Sequence, residues 1–195
     1  MSTSREIIIT KSRTIHTYAE LWQGANFALQ AGVKNPQGAS WQFLSSLVLR
    51  VFSFEAYLNH VGSESLACWE EMERLPPLAK LRLLGETLGV EFPVGSGERP
   101  LQTIAKLLLF RNTVAHGKSI DLKYQPVVRT TENYEAELHE PLLADWERLV
   151  RTKDFAQRAL EDVESVMVLL QAGRKNASDN LFTTGPGGGS ARLVT

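Results

Sequence analysis

Residues 106–117 read Lys-Leu-Leu-Leu-Phe-Arg-Asn-Thr-Val-Ala-His-Gly, an apolar helical run that ends abruptly in a cation, an amide, an imidazole and a glycine. On a helix, Asn112 and His116 lie four apart and share one face, while Arg111 sits about 100° round from Asn112 and flanks it. Cutting RNA without a metal needs a base for the 2′-hydroxyl, an acid for the leaving oxygen and a cation for the pentacoordinate phosphate. Histidine can serve as base or acid, typically worth about 10²- to 10⁴-fold in rate. Arginine presents a planar fork that matches phosphate oxygens, and asparagine can orient either group. One chain supplies a single such histidine, so a two-histidine mechanism requires two copies. The same residues also suit a plain helix end, because the dipole and free carbonyls favour a histidine there without catalysis. Spacing alone leaves both readings open.

The neighbourhood is basic. Lys106, Arg111, Lys118, Lys123 and Arg129 face a single acidic residue, Asp121, between positions 106 and 129. That patch could hold a phosphate backbone, whereas the formal net charge of -1 gives no global field to attract nucleic acid. A single cysteine, Cys68, excludes an internal disulfide framework and cysteine-based zinc sites. His16, His60 and His139 are scattered and read as surface or boundary histidines, so neither a metal nor a cofactor is expected. The N-terminus lacks the apolar core and cleavage site of a signal peptide, and no run approaches about 18 uninterrupted apolar residues. The expectation is a cytoplasmic protein without a membrane span.

Several elements must position the motif. With 195 residues and 43% hydrophobic content, the chain suits one domain with a full core. Residues 14–31 carry apolar positions at spacings of three and four, with Gly32 as a stop. Residues 41–60, entered through Ser40, are apolar on nearly every side and predict a central helix bearing Glu55 and Asn59 on one face. A buried Glu55 would need a partner. Short helices follow at 63–75 and 78–88, separated by Pro76 and Pro77. Pro100 opens the motif helix, and Gly117 stands as its C′ glycine with His116 as the last helical residue. Pro141 opens a long final helix over 141–172. The β-branched stretches 5–10 and 119–131 could pair as a small β-element. The tryptophans and phenylalanines at helical spacing read as core, not as a base-stacking platform. The fold expected is all-α, a bundle of four main helices with short extra ones. It divides into an arm at 1–13, a helical domain at 14–174 and a disordered Gly-rich tail at 175–195.

At the motif the chain resembles a known superfamily. Residues 110–117, Phe-Arg-Asn-Thr-Val-Ala-His-Gly, are similar to the Arg-x(4–6)-His signature of HEPN-domain proteins in its Arg-Asn-x-x-x-His form. Residues 53–60, Ser-Phe-Glu-Ala-Tyr-Leu-Asn-His, resemble the glutamate-bearing inner helix that precedes that signature. Helix order agrees over roughly residues 14–172. The resemblance implies a metal-independent endoribonuclease acting as a homodimer, with two motifs sharing one cleft at a two-fold axis. His116 would be the acid/base, Arg111 would hold the phosphate, Asn112 would position them and Glu55 would orient Arg111 or His116. Lys106, Lys118 and Lys123 would grip the RNA backbone. Products would carry 2′,3′-cyclic phosphates. Members serve as toxins of toxin–antitoxin pairs, antiviral effectors or RNA-processing domains, and a near-solitary domain suits an effector controlled by a separate antitoxin or regulatory chain. The alternative is a member that has lost catalysis and acts as a dimerisation, partner-binding or nucleotide-binding module.

Overall fold

The computed structural model describes residues 7–92, 97–123, 135, 138–139, 141–175 and 180–193. These residues are mainly helical and carry a two-stranded antiparallel sheet. The elements in order are β1 (Ile7–Arg13), α1 (Thr17–Lys34), α2 (Ala39–Ser65), α3 (Trp69–Met72), α4 (Pro77–Leu88), α5 (Leu101–Ala115), α6 (Asp145–Val150), α7 (Asp154–Gly173) and β2 (Gly187–Leu193). The four longest, α1, α2, α5 and α7, are the four main helices of the sequence pattern. The chain forms two compact units whose division falls within α1, α2 and α7: Met1–Gly24, Phe52–Phe92 and Ser165–Thr195 make the first, Ala25–Val51 and Pro93–Glu164 the second.

The first unit buries Trp22, Phe54, Tyr57, Leu58, Val61, Trp69, Leu84, Met167 and Leu170. Trp69 fits because α2 offers Gly62 beneath it: a Cβ there would lie 2.2 Å from the indole. Ser53 Oγ donates to the Tyr18 carbonyl at 2.7 Å and closes a buried polar group onto α1. Helix α4 starts at Pro77 and ends on Gly89, whose φ of 65° only glycine adopts cheaply. Among these groups Lys80 is buried; its Nζ donates to Asn59 Oδ1 at 2.7 Å, and Asn59 Nδ2 donates to Glu73 Oε1. Burial pushes the Lys80 ammonium below its usual range, opposed by the nearby Glu73 and Glu55 carboxylates.

The second unit buries Leu29, Phe43, Leu47, Val51, Ile104, Leu107, Phe110, Val150, Phe155, Ala159 and Val163. Arg50 is also buried, with Nη2 donating to Asn26 Oδ1 at 2.6 Å. Burial pushes its guanidinium down to about 9 against the attraction of Glu164. Arg99 forks onto the buried Asp162, Nε to Oδ2 at 2.9 Å and Nη2 to Oδ1 at 2.8 Å, and so ties the start of α5 to α7.

Several expectations are corrected. Helix α1 runs through Gly32 to Lys34, because that glycine is a packing position: a Cβ there would lie 2.7 Å from the Phe43 ring. Helix α2 begins at Ala39, so Ser40 lies inside it, and it continues to Ser65; only Trp69–Met72 of the 63–75 stretch forms a separate helix. The long helix over 141–172 is two helices. Ala144 caps α6, its N–H donating to Glu147 Oε2 at 2.8 Å, and Thr152 Oγ1 turns onto Asp154 Oδ2 at 3.0 Å where α7 restarts. β1 pairs with β2, from Ile7 opposite Leu193 to Arg13 opposite Gly187. Residues 119–123 carry no regular structure, and 124–131 lie outside the described residues. The tail expected to be disordered supplies β2, and before it Phe182 stacks on Trp22 with ring centroids 4.4 Å apart.

Candidate functional site

Helix α5 reads as two halves. Its first three turns bury Thr103, Ile104, Leu107 and Phe110 in the second unit. Beyond Phe110 the register carries it out of the core: Arg111 is half-buried, and every residue from Asn112 to Lys123 is exposed. The helix ends one residue earlier than the pattern predicts, at Ala115, with His116 as its C-cap. The His116 N–H donates to the Asn112 carbonyl at 3.0 Å. Gly117 has no left-handed φ; its role is closeness, since a Cβ would lie 3.0 Å from the Thr113 carbonyl oxygen.

Of the expected site residues, α5 brings three together. Arg111 Nη1 donates to Asn112 Oδ1 at 2.8 Å, which turns the guanidinium towards the face that Asn112 shares with His116. The His116 ring stands exposed at the C-cap, where the helix dipole favours a cationic imidazole. Lys118 and Lys123 are exposed on the following segment. Lys106 sits two turns back, its Nζ 5.3 Å from the centre of the Phe155 ring, a cation–π contact that leaves its charge near the surface. Arg129 lies outside the described residues. Glu55 belongs to the first unit, where its carboxylate acts on Lys80. Leu109 and Val114 add exposed apolar surface to the same end of α5. A cation, an amide and an imidazole on one exposed turn can bind an anion and exchange a proton with it.

The first unit holds a second polar group that sequence reasoning did not assemble. Tyr57, buried on α2, shares its hydroxyl proton between the Met167 carbonyl at 3.1 Å and Gln171 Oε1 at 3.0 Å. Arg174 Nη1 donates to the same Gln171 oxygen at 2.6 Å, and its Nη2 donates to Glu64. His60 Nε2 lies 3.5 Å from the other Glu64 oxygen, and the His60 ring contacts those of His16 and Tyr18. Burial raises the Tyr57 hydroxyl pKa, against the lowering effect of Arg174, so Tyr57 stays a neutral donor. The His60–Glu64 spacing of four was visible in the sequence; the partner, Arg174, lies 110 residues further on.

Among the described residues, no group of three or more His, Cys, Asp or Glu side chains could hold a metal, and no helix is long and apolar enough to cross a membrane. No known family, curated protein or solved structure matches the chain.

Proposed function

We propose that the chain is a metal-independent endoribonuclease of the HEPN type, acting as a homodimer in which two α5 ends form one cleft. The observation that carries the reading is the last turn of α5, where the half-buried Arg111 bonds to Asn112 and the Asn112 and His116 side chains are exposed. The His116 imidazole is exposed, and the backbone N–H of that residue bonds to the Asn112 carbonyl, so the ring is left accessible on the helix end. His116 takes the proton of the 2′-hydroxyl, and the Arg111 fork neutralises the charge that grows on the phosphate. The second proton transfer, to the leaving 5′-oxygen, falls to the His116 of the other copy. Exposed Leu109 and Val114 supply apolar surface for a copy to cover beside the polar groups. Lys118 and Lys123 extend the cationic track for the RNA strand.

The test is cleavage of a labelled RNA by the purified protein in EDTA. Wild type cuts, while His116→Ala and Arg111→Ala do not, with their dimers and helical content unchanged. Cleavage that survives His116→Ala, or that appears only with a divalent metal, overturns the mechanism. Intact RNA with every variant would leave the binding-module alternative.

A further inference from the structure

Trp41 contradicts the expectation that the tryptophans are core, since it is 68% exposed. It stands on the first turn of α2 and lines a cavity of about 110 Å³ in the second unit with Leu44, Trp146 and Val150, and with Glu147 and Arg151 among its lining residues. Trp146 and Glu147 belong to α6, the helix that packs against α5. We propose that this cavity is a nucleobase subsite, taking an amino-bearing base of a nucleotide against the indole of Trp41.

Three features favour a base over an apolar side chain. The space equals that of roughly three to four water molecules, enough for one flat heterocycle and too small for a whole nucleotide. Its walls are aromatic and aliphatic, the surface on which bases stack. Glu147 spends Oε2 on the Ala144 N–H, while Oε1 has no partner among the described residues. An apolar occupant would strand that oxygen on burial, whereas the exocyclic amine of cytosine or adenine, or the N–H edge of guanine, donates to it. Arg151 is exposed and offers its guanidinium to the phosphate of the same nucleotide. Uracil fits least well, because its one donor, N3–H, is flanked by two carbonyl oxygens that repel the carboxylate. The inference deepens the ribonuclease reading and rests on it for the RNA source of the base.

The experiment measures binding of uncleavable 2′-O-methyl tetranucleotides of A, C and U, and of AMP, to the full chain by tryptophan fluorescence and anisotropy. Wild type binds A and C tetramers more tightly than U and shows quenching. Trp41→Ala weakens the A and C complexes by roughly 5- to 150-fold, the span of one base–aromatic stack, and abolishes the quench. Trp41→Phe keeps most of the affinity. Glu147→Gln, which can still accept from the Ala144 N–H, flattens the preference for A and C over U. Trp41-dependent AMP binding as tight as that of the A tetramer assigns the subsite to free nucleotides; much weaker AMP binding assigns it to the strand. His116→Ala separates the two proposals, since it abolishes cleavage and leaves the Trp41-dependent binding intact. Affinities indifferent to Trp41→Ala overturn the subsite even if RNA is cut, as does a Trp41→Ala effect confined to the oligomeric state, which would make the cavity a protein contact.

Discussion

Two polar groups in this chain each combine a histidine, an arginine and a side-chain amide, and stand in opposite circumstances. Around His60, the Tyr57 hydroxyl, the Gln171 amide and the Arg174 guanidinium lie buried and bonded to one another, with Glu64 closing the chain at the surface. Around His116, the arginine and asparagine bond to each other on an exposed helix end and the imidazole faces solvent. Saturated and buried, the first group can only hold α2 against the end of α7, because any donor it gave to a ligand would leave a buried partner stranded. In the second, the exposed Asn112 and His116 side chains can give their hydrogen bonds to something else at little cost. Partner saturation and exposure, and not the presence of histidine and arginine, separate a structural polar cluster from a site.

Mutation should therefore act on activity at one group and on stability at the other. The largest effect is expected for His116→Ala: RNA cleavage falls by about 10²- to 10⁴-fold while the urea midpoint stays put. Arg174→Met should do the reverse. It removes the buried guanidinium that bonds Gln171 and Glu64, costs about 1–3 kcal/mol by urea denaturation and leaves the rate per folded molecule unchanged. A stable Arg174→Met variant that had lost cleavage would erase the distinction.

Smaller effects test how the first unit is closed. Phe182→Ala removes the ring stacked on Trp22 and should cost about 1–2 kcal/mol in the same measurement. A neutral result would restore the expectation of an unanchored tail. The smallest effect concerns Lys80. Its pKa is lowered on folding, so the unfolded chain holds the proton more tightly and stability rises as pH climbs from the folded pKa towards the usual 10.5. Wild type should gain stability relative to Lys80→Met over that alkaline range, measured by denaturation at stepped pH.

Local signals made much of this legible. Pro77 and Gly89 bracket α4, and the apolar spacing of 101–110 marked the motif helix to within a residue of its end. Asn112 and His116 shared a face by count alone. What escaped depended on distant partners. Gly32 looks like a helix stop until Phe43 is seen against it, and the Gly187–Gly189 run looks like a flexible tail until β1 is seen hydrogen-bonded across from it. A glycine run has no side chains to show a strand pattern, so only the pairing reveals it. Trp41 fits a helical apolar spacing and points out of the core all the same, since a helix apolar on every side must expose some of its residues unless it is covered all round. Arg174, read as the edge of the tail, is buried by contacts with Gln171 and Glu64 that no local pattern announces.

In the proposed reaction the 2′-hydroxyl attacks, driven by His116 without a metal. The most direct measurement is the chemistry of the cut ends formed in EDTA, by mass spectrometry of a short RNA and of the same RNA with one 2′-deoxy residue at the cleavage position. A 2′-hydroxyl attack leaves 2′,3′-cyclic phosphate and 5′-hydroxyl ends, and no cut at the deoxy position. Ends bearing a 5′-phosphate and 3′-hydroxyl, or cleavage at the deoxy position, would contradict it.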